Sequence, residues 1–331
     1  MARPPSCATA VALLATLLLA GCGGADPADE SAGDTGMSFD AAIEQAQDVS
    51  RADFPATEGR TLQEIADPLP AVQAGLATSV YTPGENRLAF GVIDGANEFI
   101  YGKTAIYLAR GRNAEAIGPF PAPADPLVVE PPFRSEGAAL ATGEIAAIYE
   151  ARVNLPDPGR WSVLTVSKSQ GRTYGAATQI EVTADSPIPA PGEPAPRVET
   201  ETLASADGDV ASIDTRRPPS DMHEVSFADV VGEKPVALLF ATPQLCQTRV
   251  CGPVVDIATQ LKAKYGDEVE FIHQEVYESN MVEQGLRPPL ERFNLRTEPW
   301  LFTVDAQGRV AARLEGSFGH EGFERAIRAA L

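Results

Sequence analysis

Apolar and polar positions change rhythm several times along the 331-residue chain. Residues 8–20, ATAVALLATLLLA, form an unbroken apolar run preceded by one charge, Arg3. That is the length of a signal-peptide core and too short to span a bilayer stably. Residues 23–38 are small and acidic without apolar period, which predicts a flexible stalk. FDAAIEQAQDV and TLQEIAD follow with weak helical spacing, as pieces expected to pack against the next domain. From Leu76 to Thr183 the chain alternates in short β-type runs such as NRLAFGVID, TAIYLAR, RWSVLTVSKS and YGAATQIEVTAD. Turn residues separate them, among them Pro83-Gly84-Glu85-Asn86 and Asp157-Pro158-Gly159, so the segment predicts an antiparallel sandwich. The proline-rich stretch SPIPAPGEPAPRVET, 186–200, predicts an extended connector with few contacts. Beyond it the pattern becomes α/β. EKPVALLFAT reads as a buried strand and VVDIATQLKAKYG as a helix closed by Gly266. DEVEFIHQEVY, EPWLFTVD and RVAARLEG read as further strands, and HEGFERAIRAAL as a closing helix.

These rhythms divide the chain into a signal peptide over 1–21, a stalk over 22–38, a short helical segment over 39–75, an all-β sandwich over 76–185, a linker over 186–200 and an α/β domain over 201–331. Composition agrees with a multidomain protein, since 44% hydrophobic residues can bury a sizeable core. With 46 acidic against 26 basic residues, the field of the whole chain repels phosphate backbones, which argues against nucleic acid as a partner.

Leu19-Ala20-Gly21-Cys22 resembles the lipobox of bacterial lipoproteins. The resemblance implies lipidation at Cys22 and a chain tethered to a membrane face outside the cytoplasm, in the bacterial cell envelope. Of four cysteines, Cys7 then leaves with the signal and Cys22 carries lipid, so Cys246 and Cys251 remain in a compartment where they can oxidise. The sandwich segment, through LPDPGRWSVLTV, resembles immunoglobulin-like domains of cell-envelope proteins, in which the Trp after the Pro-Gly turn enters the core.

The last hundred residues resemble the thioredoxin family in the strand LLFAT, in Cys251-Gly252-Pro253 at a helix start, in Glu298-Pro299 before a strand, and in the VDAQGRV hairpin. The resemblance implies thiol–disulfide exchange with exported proteins, a cis bond at Pro299 facing the cysteines, and a substrate chain passing Glu298 and Pro299. The chain departs from the family in spacing: four residues separate Cys246 from Cys251, and Val254 stands where the second family cysteine would be. Either cysteine fits the nucleophile position. A helix N-terminus can lower a thiol's pKa, and Arg249 is a candidate to add to that, which favours Cys251 as the attacking thiol and Cys246 as the resolving one. The polar loop around Cys246 favours that thiol's exposure instead. A plain stabilising disulfide between the two is the simpler alternative. No cofactor or metal is implied by this reading. Copper chaperones of the Sco type share the fold and add a later histidine to two cysteines. His223, His273 and His320 are the chain's histidines, yet Glu298-Pro299 occupies the family's histidine position. A third possibility is an envelope interaction lipoprotein without catalysis.

Overall fold

The computed structural model describes residues 39–136, 145–246 and 249–331. The expected signal peptide, Cys22 and the stalk lie outside the described residues. Among the described residues eight strands precede the connector: β1 (Gln73–Leu76), β2 (Gly84–Ile93), β3 (Lys103–Ala109), β4 (Ile117–Pro121), β5 (Ala124–Pro126), β6 (Ala147–Leu155), β7 (Gly159–Ser169) and β8 (Arg172–Val182). They form two four-stranded antiparallel sheets, ordered β1-β2-β6-β5 and β4-β3-β7-β8. Strand periodicity explains how the sheets meet. Leu88, Phe90 and Val92 of β2 point inward together, as do Trp161 and Val163 of β7, and all five share one core with Tyr149 and Ile106. The alternate residues Leu164 and Val166 face the other way. There α2 (Leu62–Ala66) covers them with Leu62 and Ile65, joined by Phe54. Helix α1 (Phe39–Gln47) contributes Ile43 and Ala46 to the first core.

Four more strands make a mixed sheet ordered β10-β9-β11-β12: β9 (Val236–Phe240), β10 (Glu270–Gln274), β11 (Trp300–Val304) and β12 (Val310–Glu315). β10 runs parallel to β9, whereas β11 is antiparallel to both β9 and β12. Helices α4 (Cys251–Tyr265) and α6 (His320–Ala330) cover one face, with Ala237 and Leu239 of β9 pointing at them. The other face buries Val236, Leu238 and Phe240 under Phe227 of α3 (Phe227–Val230), Leu290 of α5 (Pro288–Arg292) and Phe293. Apolar residues in both registers of β9 match a strand covered on both sides.

The connector 186–200 is extended, as its prolines demand, but it does not run free. Gly192 donates its amide to the Val310 carbonyl, Val310 to Glu193, and Ala195 to Gly308. Arg313 reaches back to the carbonyls of Ile188 and Pro189. The connector therefore borders β12 as an added edge, a position that tolerates proline because the outward side has no ladder to complete.

The described residues from Phe39 onward pack as one unit. Leu127 and Val129, just past β5, are buried in the core between the mixed sheet and its helices. Asp125 accepts the backbone amides of Gly319 and Gly322 on one carboxylate oxygen and of Glu321 on the other, so β5 caps the N-terminus of α6. Glu315 accepts from the amides of Ser79 and Val80. Arg87 donates to Glu150 and to the carbonyls of Glu315 and Ser317. Among the described residues no helix is long and apolar enough to cross a membrane.

Candidate functional site

β9 ends at Phe240 and α4 begins at Cys251, and the residues between carry the chain across the carboxyl end of the sheet. Cys246 donates its amide to the Thr242 carbonyl, and Arg249 donates to the Cys246 carbonyl. Arg249 itself is exposed and holds a left-handed φ of 59°. This geometry brings the two sulfurs to 2.7 Å from each other, with no disulfide joining them.

The environment of the pair differs from the expectation for Cys251. Its side chain is 0% exposed against 8% for Cys246. Burial pushes the Cys251 thiol well above its ordinary range, the neighbouring Cys246 adds to the rise, and a hydrogen bond from the Thr242 backbone only opposes it. Cys251 is the first residue of α4 with Val250 as its cap, so the helix dipole is present but is outweighed by desolvation.

A carboxylate completes the group. Sγ of Cys246, Sγ of Cys251 and a carboxylate oxygen of Glu298 all lie within 4.8 Å of one another. Glu298 precedes Pro299 through a cis peptide bond, the isomer expected from the sequence, and the Pro299 carbonyl accepts the Gly316 amide. Burial raises Glu298 to about 7; the nearby Cys246 and Glu275 push the same way, and a hydrogen bond from Tyr277 opposes them. Tyr277 is in turn pushed up to about 12, chiefly by burial and then by Glu298. Glu275 is buried, accepts from the amide and hydroxyl of Thr215, and is raised by desolvation. Glu275 and Tyr277 were not singled out in the sequence. Both follow β10 in HQEVY, where polar residues continue past the carboxyl end of a buried strand, the place α/β sheets put their sites.

The histidines stand apart from the thiols. His223 and His273 meet at Asp214, and His320 opens α6 with Glu324 3.9 Å away. Neither cysteine belongs to the group of Asp214, His223 and His273, and Glu298 fills the third place beside the sulfurs, so the histidine-assisted copper arrangement is not reproduced.

An apolar groove runs beside the pair. Leu76, Ile93 and Phe99 come from the β1-β2 sheet and its loop, and Val250, Thr297 and Glu298 from the thiol side.

No protein-family model matches the chain, and no curated protein does. Among solved structures the chain is similar to MTB dsbF, crystallised in mixed oxidized and reduced forms, at 20% identity over 41% of this chain and 96% of that one, with a TM-score of 0.30. A putative thiol:disulfide interchange protein DsbE from Chlorobium tepidum aligns at 17% identity over 43% of this chain and 98% of that one, TM-score 0.31. A thiol:disulfide interchange protein of the thioredoxin family from Chlorobium tepidum TLS aligns at 19% identity over 44% and 99%, TM-score 0.30.

Proposed function

We propose that the protein is an extracytoplasmic, membrane-tethered lipoprotein that exchanges thiols and disulfides with exported proteins through Cys246 and Cys251. The observation that carries the reading is the approach of two thiols to 2.7 Å at a strand-to-helix turn, beside the carboxylate that precedes a cis proline. The sheet order β10-β9-β11-β12 with α4 and α6 on one face supports a thioredoxin-like domain. The order of the two antiparallel sheets supports an immunoglobulin-like sandwich, with Trp161 buried in its core. Tethering rests on the lipobox at Cys22.

Both cysteines are buried, and the residual exposure of Cys246, 8% against 0% for Cys251, assigns the roles in this reading. Cys246 attacks a substrate disulfide as its thiolate. A mixed disulfide forms and one substrate sulfur leaves as a thiol. Cys251 then loses its proton to Glu298 and attacks the Cys246 sulfur, releasing the second substrate thiol and leaving the Cys246–Cys251 disulfide. Two electrons pass from the pair to the substrate, and the reverse sequence oxidises a dithiol. A carboxyl near 7 suits the proton transfer, because it can accept a proton at neutral pH and return it. The apolar groove beside Val250 and Glu298 offers a place for the chain that flanks the substrate cysteine.

The test is trapping. Cys251→Ser should accumulate mixed disulfides through Cys246 when offered exported proteins that carry disulfides, and Cys246→Ser should accumulate none. Equal absence from both variants, with a couple more reducing than about −300 mV, would identify an inert staple.

A further inference from the structure

Asp214, His223 and His273 come together on the far side of the segment that leads into β9, and all three side chains are buried. His273 lies on β10, and its Nε2 is 3.0 Å from the Ala241 carbonyl, which can only accept. That bond puts the ring's proton on Nε2 and leaves a lone pair on Nδ1. Nδ1 has no hydrogen-bond partner, and what it faces is Oδ2 of Asp214 at 3.5 Å. Two electron-rich atoms thus face one another in a buried place, an arrangement that a cation between them relieves, whether a second proton on the His273 ring or a metal ion.

The surrounding donors suit a metal ion in that role. Nε2 of His223 is 3.0 Å from the same Oδ2, and the Ser220 hydroxyl is 2.8 Å from Oδ2 and 3.4 Å from His223 Nε2. Ligand atoms around a tetrahedral ion with bonds of about 2.0–2.1 Å sit roughly 3.3 Å apart, so these separations bracket that spacing. His273 also has the support that a metal-binding imidazole needs, its other nitrogen donating to a backbone carbonyl. Oδ1 of Asp214 accepts the Arg216 amide, which fixes the carboxylate. Ser220 additionally lines a surface groove with Phe133, Pro218 and Lys262.

We propose that Asp214, His223 and His273 form a zinc-type divalent metal site, with Ser220 or a water it orients at the fourth corner. Two imidazoles and one carboxylate select zinc over the oxygen-seeking magnesium and calcium. The ion ties residues 214–223 to β10 and, through the Ala241 carbonyl, steadies the residue before Thr242, on which Cys246 hangs. The site is separate from the thiols and does not depend on their chemistry.

The full chain carrying both Cys246→Ser and Cys251→Ser, with Cys7 and Cys22 also replaced by Ser so that no thiol remains, is equilibrated with zinc, dialysed and assayed for bound metal. About one zinc per chain is expected, together with a rise in melting temperature. Adding His223→Gln should weaken binding at least tenfold. Cobalt(II) added to the chain with intact histidines gives a second reading that does not depend on how the glutamine variant folds. A tetrahedral ligand-field spectrum without a thiolate charge-transfer band supports the site. No zinc above the buffer blank in the thiol-free chain, an octahedral cobalt spectrum, or undiminished binding in a folded His223→Gln chain would each overturn it.

Discussion

Glu298 is where the acidity of one residue sets the behaviour of the site. Because burial and Cys246 lift it to about 7, it is half-ionised near neutrality. In the proposed exchange the ionised form takes the proton from Cys251, so the rate of resolving a mixed disulfide should climb as pH rises through about 7. Glu298→Gln should remove that inflection and slow the step by roughly 10²-fold, a typical contribution of a positioned base. Stopped-flow release of the second substrate thiol across pH checks both. A second titration concerns stability. Burial acts to raise Glu150, but Arg87, Arg325 and Arg152 more than offset it and hold the group below its ordinary 4.5. A depressed carboxylate stabilises the fold above its unfolded pKa and loses that contribution as pH falls through the folded one. The melting temperature should therefore drop as the medium is acidified below about pH 4.5, and Glu150→Gln should lower it at neutrality while flattening the acid slope.

At the scale of elements, close approach rather than periodicity decides the joints. Gly316 ends β12 with φ +69°, and a Cβ there would lie 1.7 Å from the Ala77 carbonyl oxygen, against backbone that cannot step aside. Gly171, between β7 and β8, has φ +71° with nothing within 4 Å. Gly171→Ala should cost about 1 kcal/mol of backbone strain, whereas Gly316→Ala should cost roughly 3 kcal/mol, because it adds displacement of Ala77. Urea midpoints of the two variants measure the difference. The elements themselves were legible in the chain, since strands such as NRLAFGVID and VALLF advertise their faces by alternation or by continuous apolar runs. So was the thiol turn, because Cys251-Gly252-Pro253 and Glu298-Pro299 are local signals. What alternation does not encode is partnership between distant segments. Nothing near SPIPAPGEPAPRVET announces that its carbonyls and amides meet Val310 and Gly308. The burial of Cys251 was hidden for the same reason, since it depends on residues from β9, α6 and the strap at Leu127 as much as on its own helix.

For the whole molecule, the shared core predicts that the C-terminal half should not stand alone. A fragment beginning near residue 197 would lack Leu127 and Val129, each worth about 1.5–3 kcal/mol of buried side chain, and the Asp125 cap on α6. It should unfold without cooperativity and bind hydrophobic dyes, and Asp125→Ala in the full chain should lower stability by roughly 1–2 kcal/mol in urea titration. A fragment that melts sharply would refute the shared core.

The Asp125 cap also fixes an order of events. Its partner amides lie 194 and 197 residues further along the chain, so during synthesis the carboxylate and the apolar residues Leu127 and Val129 beside it wait for residues 319–322 to arrive. Closing so distant a contact is slow relative to hairpin formation, and the waiting surface is sticky. A chain cut short before Gly319 should therefore be cleaved around Asp125 and Leu127 faster than the full chain in limited proteolysis, and equal rates would refute the dependence.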